Sequence, residues 1–138
     1  MVVQETIRIS TRGEGDTHDL TGRVAQVIAS SGVATGIVNV TGKGSTLAIT
    51  TIEYEPGAIS DLRRALEAIA PRHDGYAHNA RWGDHNGYAH LRSALLGTTE
   101  TFPVREGRLC LGTWQQIILC EFDDRPRQRE ITVTVVGE

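Results

Sequence analysis

The sequence predicts one α+β domain spanning residues 1–138, mostly antiparallel β-sheet or sandwich with two to three helices packed on it. Three observations carry this expectation. Seven short runs rich in Val, Ile and Thr are bounded by Gly, Pro and Asp. Two longer segments space apolar residues as helices do and stop at a glycine or a proline. No repeat, low-complexity tract or linker interrupts the chain.

The elements follow in order. Val2 to Ser10 alternates well enough for a strand, and Arg12 to Gly15 is a turn. Asp16 or Thr17 is placed to cap a helix carrying Leu20, Val24, Val27 and Ile28 on one face, which Gly32 ends. Val33–Val40 and Ser45–Glu53 are strands separated by Thr41-Gly42-Lys43-Gly44. A helix from Pro56 presents Ala58, Leu62, Ala65, Leu66 and Ile69 as its buried stripe and stops before Pro71. Periodicity then vanishes from Arg72 to Gly87, a loop of about 16 residues, and loops of that length are often functional. Asn86 can cap a short helix carrying His90, Leu91, Ala94 and Leu95 that ends at Gly97. Strands over Thr98–Val104, Arg108–Leu111, Trp114–Phe122 and Gln128–Val136 complete the chain.

Composition narrows the function. With 39% hydrophobic and 22% charged residues, the 138-residue chain can build one core. No apolar run approaches the ~20 residues of a membrane helix, and Met1 to Ser10 is not patterned as a signal peptide, so the expected location is the cytoplasm, away from any membrane. A net charge of -3 argues against a nucleic-acid partner. Lys43 is the single lysine among the basic residues, the rest being arginines, which grip phosphate or carboxylate; source base composition or thermal adaptation would leave the same bias. Cys110 and Cys120 are expected as two buried thiols.

The segment Tyr76 to His90 concentrates the chemistry. It holds three of the five histidines, His78, His85 and His90, with Asp84, Asn79 and Asn86. Imidazole and carboxylate are the usual ligands of zinc and related ions, and a loop His78, Asp84 and a helical His90 can converge on one ion. The same side chains would also suit a loop that satisfies its own backbone. Thr41-Gly42-Lys43-Gly44-Ser45-Thr46 lacks the spacing of a phosphate loop and runs into a strand, so it is a hairpin turn or an anion nest offering Ser45 and Thr46. Glu53 and Glu55 share a strand face, where Glu53 can serve as a base, a ligand or a solvated strand end. Trp114 and Gln115 follow Gly107-Arg108 and Gly112, where close backbone approach and a fixed amide are expected, Trp114 belonging to core or subunit interface before ligand stacking. Arg125 to Arg129 reads as a hairpin tip that can also attract phosphate.

Taken as an ordered set, these stretches resemble the YjbQ family, also described as secondary thiamine-phosphate synthases. The matching pieces are Gly44-Ser45-Thr46 through Thr50-Thr51-Ile52-Glu53, Tyr76-Ala77-His78-Asn79, Gly83-Asp84-His85-Asn86-Gly87, His90-Leu91-Arg92, Leu95-Leu96-Gly97, Phe102-Pro103-Val104, Gly107-Arg108-Leu109, Leu111-Gly112-Thr113-Trp114-Gln115 and Arg127-Gln128-Arg129. The resemblance implies a homotrimer with its polar site near a subunit interface. It also implies that His78, Asp84 and His90 lie together and bind a divalent metal (Zn, Mg or Mn) or substrate, with Glu53 and the Gly44-Ser45-Thr46 turn approaching from the same or a neighbouring subunit. The implied reaction joins a pyrimidine diphosphate to a thiazole phosphate and releases pyrophosphate. Arg81, Arg92 and Arg108 would hold the phosphates, with Asn86, Trp114, Gln115, Ser45 and Thr46 around the substrate. The chain departs from the family at Gly44 and Tyr88, where many relatives carry histidine, which leaves two histidines and one aspartate. Two alternatives use the same residues: a metal-assisted hydrolase of a small phosphorylated or carbonyl compound, and a non-catalytic trimer that binds a metal or metabolite.

Overall fold

The structure, a computed structural model, describes residues 1–138 as one α+β domain in three layers. The outer layer is a five-stranded antiparallel sheet in the order β1 (Val2–Ser10), β8 (Gln128–Gly137), β3 (Thr35–Gly42), β5 (Thr99–Arg105) and β6 (Arg108–Leu109). The middle layer is a three-stranded sheet, β2 (Thr17–Asp19), β7 (Gln116–Glu121) and β4 (Leu47–Ile52), beside helix α1 (Thr21–Ser31). The third layer contains α2 (Pro56–Ile69) and α4 (Gly87–Leu96), with the short α3 (Ala77–Trp82) leading into α4. None of these helices is long and apolar enough to cross a membrane.

Strand alternation explains the first interface. In β8, Ile131, Val133 and Val135 are buried while Thr132 and Thr134 face outward, as a period of two requires. Their partners Val38, Val40, Ile7 and Ile9 join them, and Val24, Val27 and Ile28 of α1 and Ile117, Leu119 and Ile49 of the middle sheet close the main core. Strand β7 is buried on both faces, because Ile118 and Cys120 point the other way into a second cluster with Leu66, Tyr88, Ala89 and Phe122. At the end of the β3–β8 pair, Gly36 stands opposite Gly137, and a side chain at Gly36 would collide with the Val136 carbonyl.

Several sequence expectations change. The first helix begins at Thr21, because Thr17–Asp19 pairs with β7 as a strand; Asp19 then accepts a hydrogen bond from the Thr21 amide at 2.9 Å. Gly32 does end the helix, in the left-handed region at φ 74°. The stripe of α2 is Ile59, Leu62 and Leu66, while Ala65 and Ile69 are exposed. The loop from Arg72 to Gly87 contains α3. On α4 the buried residues are Gly87, Tyr88, Ala89, Arg92 and Ser93, and Leu91, Ala94 and Leu95 face out. Trp114 lies in a turn, 73% exposed, rather than in a strand. Cys120 is buried, its thiol pushed up to about 12 by that burial, but Cys110 is exposed, and both are free.

One charged pair joins the outer sheet to the middle one. Arg129 of β8 donates to Glu121 of β7 at 2.7 and 2.5 Å, and both side chains are withdrawn from water. Thr11 donates to the same carboxylate at 2.6 Å, and Arg129 also reaches the Thr46 hydroxyl at 2.8 Å. Removing one member strands the other charge, so Arg129→Met should cost about 3–5 kcal/mol in urea unfolding. The double variant Arg129→Met/Glu121→Leu should recover much of that loss.

Candidate functional site

Two short helices and the turn between them build the site. Helix α3 ends at Gly83, whose φ of 69° lets the chain reverse within Asp84 to Asn86. The reversal is tied by Asn79, whose Oδ1 accepts the Gly87 amide at 2.9 Å. Gly87 is required there, since a Cβ would lie 2.8 Å from Tyr76 Cβ. Asn86 precedes α4 but makes no cap bond, so Asn79 does the work expected of it. The result brings His78 of α3 against His90 of α4, ring centroids 4.4 Å apart and tilted by 39°. Asp84 Oδ1 stands 3.1 Å from His78 Nδ1.

Four buried side-chain polar atoms in the chain have no hydrogen-bond partner: His78 Nδ1, Asp84 Oδ1, Asn86 Oδ1 and Tyr88 OH. All four fall within eleven consecutive residues. His78 Nδ1 and Asp84 Oδ1 face each other at 3.1 Å, so the carboxylate stands as the counter-charge to that imidazole. Burial, then the neighbouring His78 ring, holds the His90 imidazole below its ordinary range, against the pull of Asp123 and Asp84. Tyr88 is pushed up to about 12 by burial and therefore remains a phenol.

The predicted residues divide into two groups. His78, Asp84, His90 and Asn86 lie at the end of β7 that carries Asp123, with Thr46 hydrogen-bonded to Asp123 at 3.1 Å and the exposed Ser45 beside it. Arg108, Trp114 and Gln115 precede the other end of β7, and Glu53 follows the adjoining end of β4. Gln115 is held there by Thr51 at 3.2 Å and by the Gly112 amide at 3.0 Å. At ~3.3 Å per residue, the six residues of β7 separate these groups by roughly 17 Å. Within one chain, then, Glu53 and Arg108 do not approach His78. Arg81 is exposed over the Trp82 ring. Arg92 is fully buried and engaged by Glu67 at 2.7 Å and the Ala70 carbonyl at 2.9 Å, so it supports the fold rather than facing a phosphate. His85 is exposed.

Within the single chain no group of three or more His, Cys, Asp or Glu side chains is placed to hold an ion. His78 and Asp84 offer a pair only. Sequence reasoning missed Asp123, which it treated as part of a connection. Burial opposes its charge, but hydrogen bonds involving Asp124, Arg127 and Thr46 hold its carboxyl down at about 2, and that charge reaches His90. Its only signal was two adjacent acids closing a strand.

The family model described as "UPF0047 protein YjbQ-like" matches residues 5–138. A UPF0047 protein of Methanothermobacter thermautotrophicus is 40% identical, over 99% of this chain and 94% of its own length. The UPF0047 protein YugU of Bacillus subtilis is 30% identical, over 96% of this chain and 98% of its own. Among solved structures, a YbjQ-like protein of unknown function from Sulfolobus solfataricus superposes with TM-score 0.93 at 34% identity, covering 100% of this chain and 99% of that one.

His90 also makes stability depend on pH. Its folded value lies below the 6.5 of the free side chain, so the unfolded chain takes up the proton first on acidification. The His90 contribution is complete above that pH and is lost as pH falls towards the folded value. Facing groups are His78, Asp84 and Asp123. Thermal melts of wild type and His90→Gln should diverge between pH 7.5 and 5.5, with the steeper acid loss in wild type; parallel curves would assign the loss to other groups.

Proposed function

The chain belongs to the YjbQ-like UPF0047 family, and from that premise we propose that it is a small-molecule transferase of the thiamine-phosphate synthase type, working in the cytoplasm. The single observation supporting a ligand site is the ring contact of His78 with His90, 4.4 Å between centroids, with Asp84 Oδ1 standing 3.1 Å from His78 Nδ1. The substrate assignment rests on the sequence resemblance. In the proposed reaction the thiazole nitrogen attacks the methylene carbon of the pyrimidine diphosphate. The new carbon–nitrogen bond forms as the carbon–oxygen bond to diphosphate breaks, and the bonding pair leaves with the diphosphate oxygen.

Here His78, beside Asp84, is the group placed to give a proton to the departing diphosphate. His90 keeps its imidazole neutral and so avoids a second positive charge at ring contact. Asn86, whose buried Oδ1 has no hydrogen-bond partner, orients a polar substrate atom. Where a divalent ion is bound, His78 and Asp84, with His90 beside them, would hold it, and it would stabilise the charge of the departing diphosphate. A homotrimer joined end to end would bring Arg108, Gln115 and Glu53 of one copy to the His78 end of the next. The exposed Trp82 and Trp114, in the two separated groups, suit such a contact, being 67% and 73% accessible in the single chain.

Complementation of a thiamine-requiring strain tests this reading. Wild type should restore growth, while His78→Ala and His90→Ala should fail at equal protein level. Absence of rescue by wild type, or equal rescue by both variants, would sink it.

A further inference from the structure

We propose that a second site, independent of the His78–His90 site and its reading, binds the phosphate groups of a small phosphorylated ligand. It occupies the open cleft between α2 and the segment following it. The cleft has a volume of about 620 Å³ and is lined by Glu14, Arg63, Arg64, Glu67, Arg72 and His73, with Ser60 and Ala68 at its wall.

Its charge arrangement is unusual. Three guanidinium groups converge on the one carboxylate of Glu14: Arg63 at 2.8 Å, Arg72 at 3.4 Å and Arg92 at 3.4 Å. Glu14 is only 5% exposed, whereas Arg63 and Arg72 are 59% and 38% exposed. A single negative charge cannot neutralise three cations. Glu67 balances Arg92 at 2.7 Å, which leaves Arg63 and Arg72 sharing Glu14. Arg64 adds a further cation, paired only with Asp61 at 3.1 Å on the open surface, where such pairs are weak.

Donors remain as well as charge. A guanidinium has five N–H groups, and the side chains of Arg63, Arg64 and Arg72 each make one hydrogen bond within the chain. These arginines line the cleft with N–H groups to spare, in the planar geometry that grips phosphate oxygens. The backbone accommodates this. Gly15 has φ +87°, and a Cβ there would lie 2.8 Å from Arg63 Cζ, so the glycine leaves the guanidinium its place against the loop. The carboxylate of Glu14 thus gathers the arginines, and an incoming phosphate completes their neutralisation.

Calorimetric titration of the full chain with inorganic pyrophosphate tests the proposal, with ionic strength held constant by sodium chloride and no divalent metal added. Saturable binding is expected in wild type and equally in His78→Ala. Arg63→Gln/Arg64→Gln changes only exposed side chains and should weaken binding about tenfold or more, through two lost charge-assisted contacts. Circular dichroism checks that each variant is folded. No binding in wild type, wild-type affinity in the arginine double variant, or loss of binding in His78→Ala would each overturn the assignment. Failure of thiamine complementation would leave this site untouched.

Discussion

Arg129 and Glu121 meet where neither side chain has water to turn to, and each belongs to a different sheet. Two opposed charges in a low-dielectric layer are tolerable only with good geometry and with their remaining lone pairs and protons satisfied. Here the surroundings supply that. Thr11 at the end of β1 bonds Glu121, Thr46 before β4 receives Arg129, and the Asp123 amide donates to Glu121 at 3.1 Å. The pair therefore fixes four chain segments at once. Asp123 inherits its position from this arrangement, and Arg127 locks it from the other side at 2.7 Å. Asp123 is one of the fixed charges acting on His90, so the register between the sheets contributes to the electrostatics of the site, after burial and the His78 ring.

The same chain treats polar groups in two opposite ways. Around Arg129 each buried charge has several partners, and around Arg92 a fully buried guanidinium is met by a carbonyl, two carboxylates and the faces of Tyr88 and Phe122. A few residues away, four buried polar atoms between His78 and Tyr88 have none. Leaving one such group unpaired costs about 1–3 kcal/mol. A fold that satisfies a buried arginine this completely does not lack the means to satisfy an asparagine. Asn86, left without a partner at the turn between α3 and α4, is such a group.

Sequence pattern revealed the parts of the fold in which burial and period agree. Strand β8 alternates because one face meets the core and the other meets water, and α1 shows its apolar face at helical spacing. The site's neighbourhood was harder to read because there the two disagree. Helix α3 buries no residue, so it has no stripe to detect. On α4 the polar Arg92 and Ser93 go inward while Leu91 and Leu95 stay out, an inversion that depends on Glu14, Glu67 and Ala70 being brought close by the tertiary fold. Strand β7 was an apolar run whose double-sided burial depends on a third layer that local sequence does not encode. His78, Asp84 and His90 were legible as chemistry from residue type alone. Their contact required α3, and the distance of Glu53 and Arg108 from them required the register of β4 on β7.

The histidine pair brings these constraints to one point. Two imidazoles with centroids 4.4 Å apart cannot both carry charge without repulsion, and burial already disfavours the charge on His90. Carboxylates influence the pair from two directions: Asp84 stands against His78, while Asp123 acts on His90 from the end of β7. Burial and the His78 ring hold the His90 imidazole below its ordinary range, so the geometry disfavours a second positive charge beside His78, and each ring has a carboxylate acting on it. Such a unit can donate or accept a proton without two positive charges meeting at the rings. That property depends on where Asp123 is anchored, so the buried pair that joins the sheets and the chemistry available to the site are parts of one electrostatic arrangement.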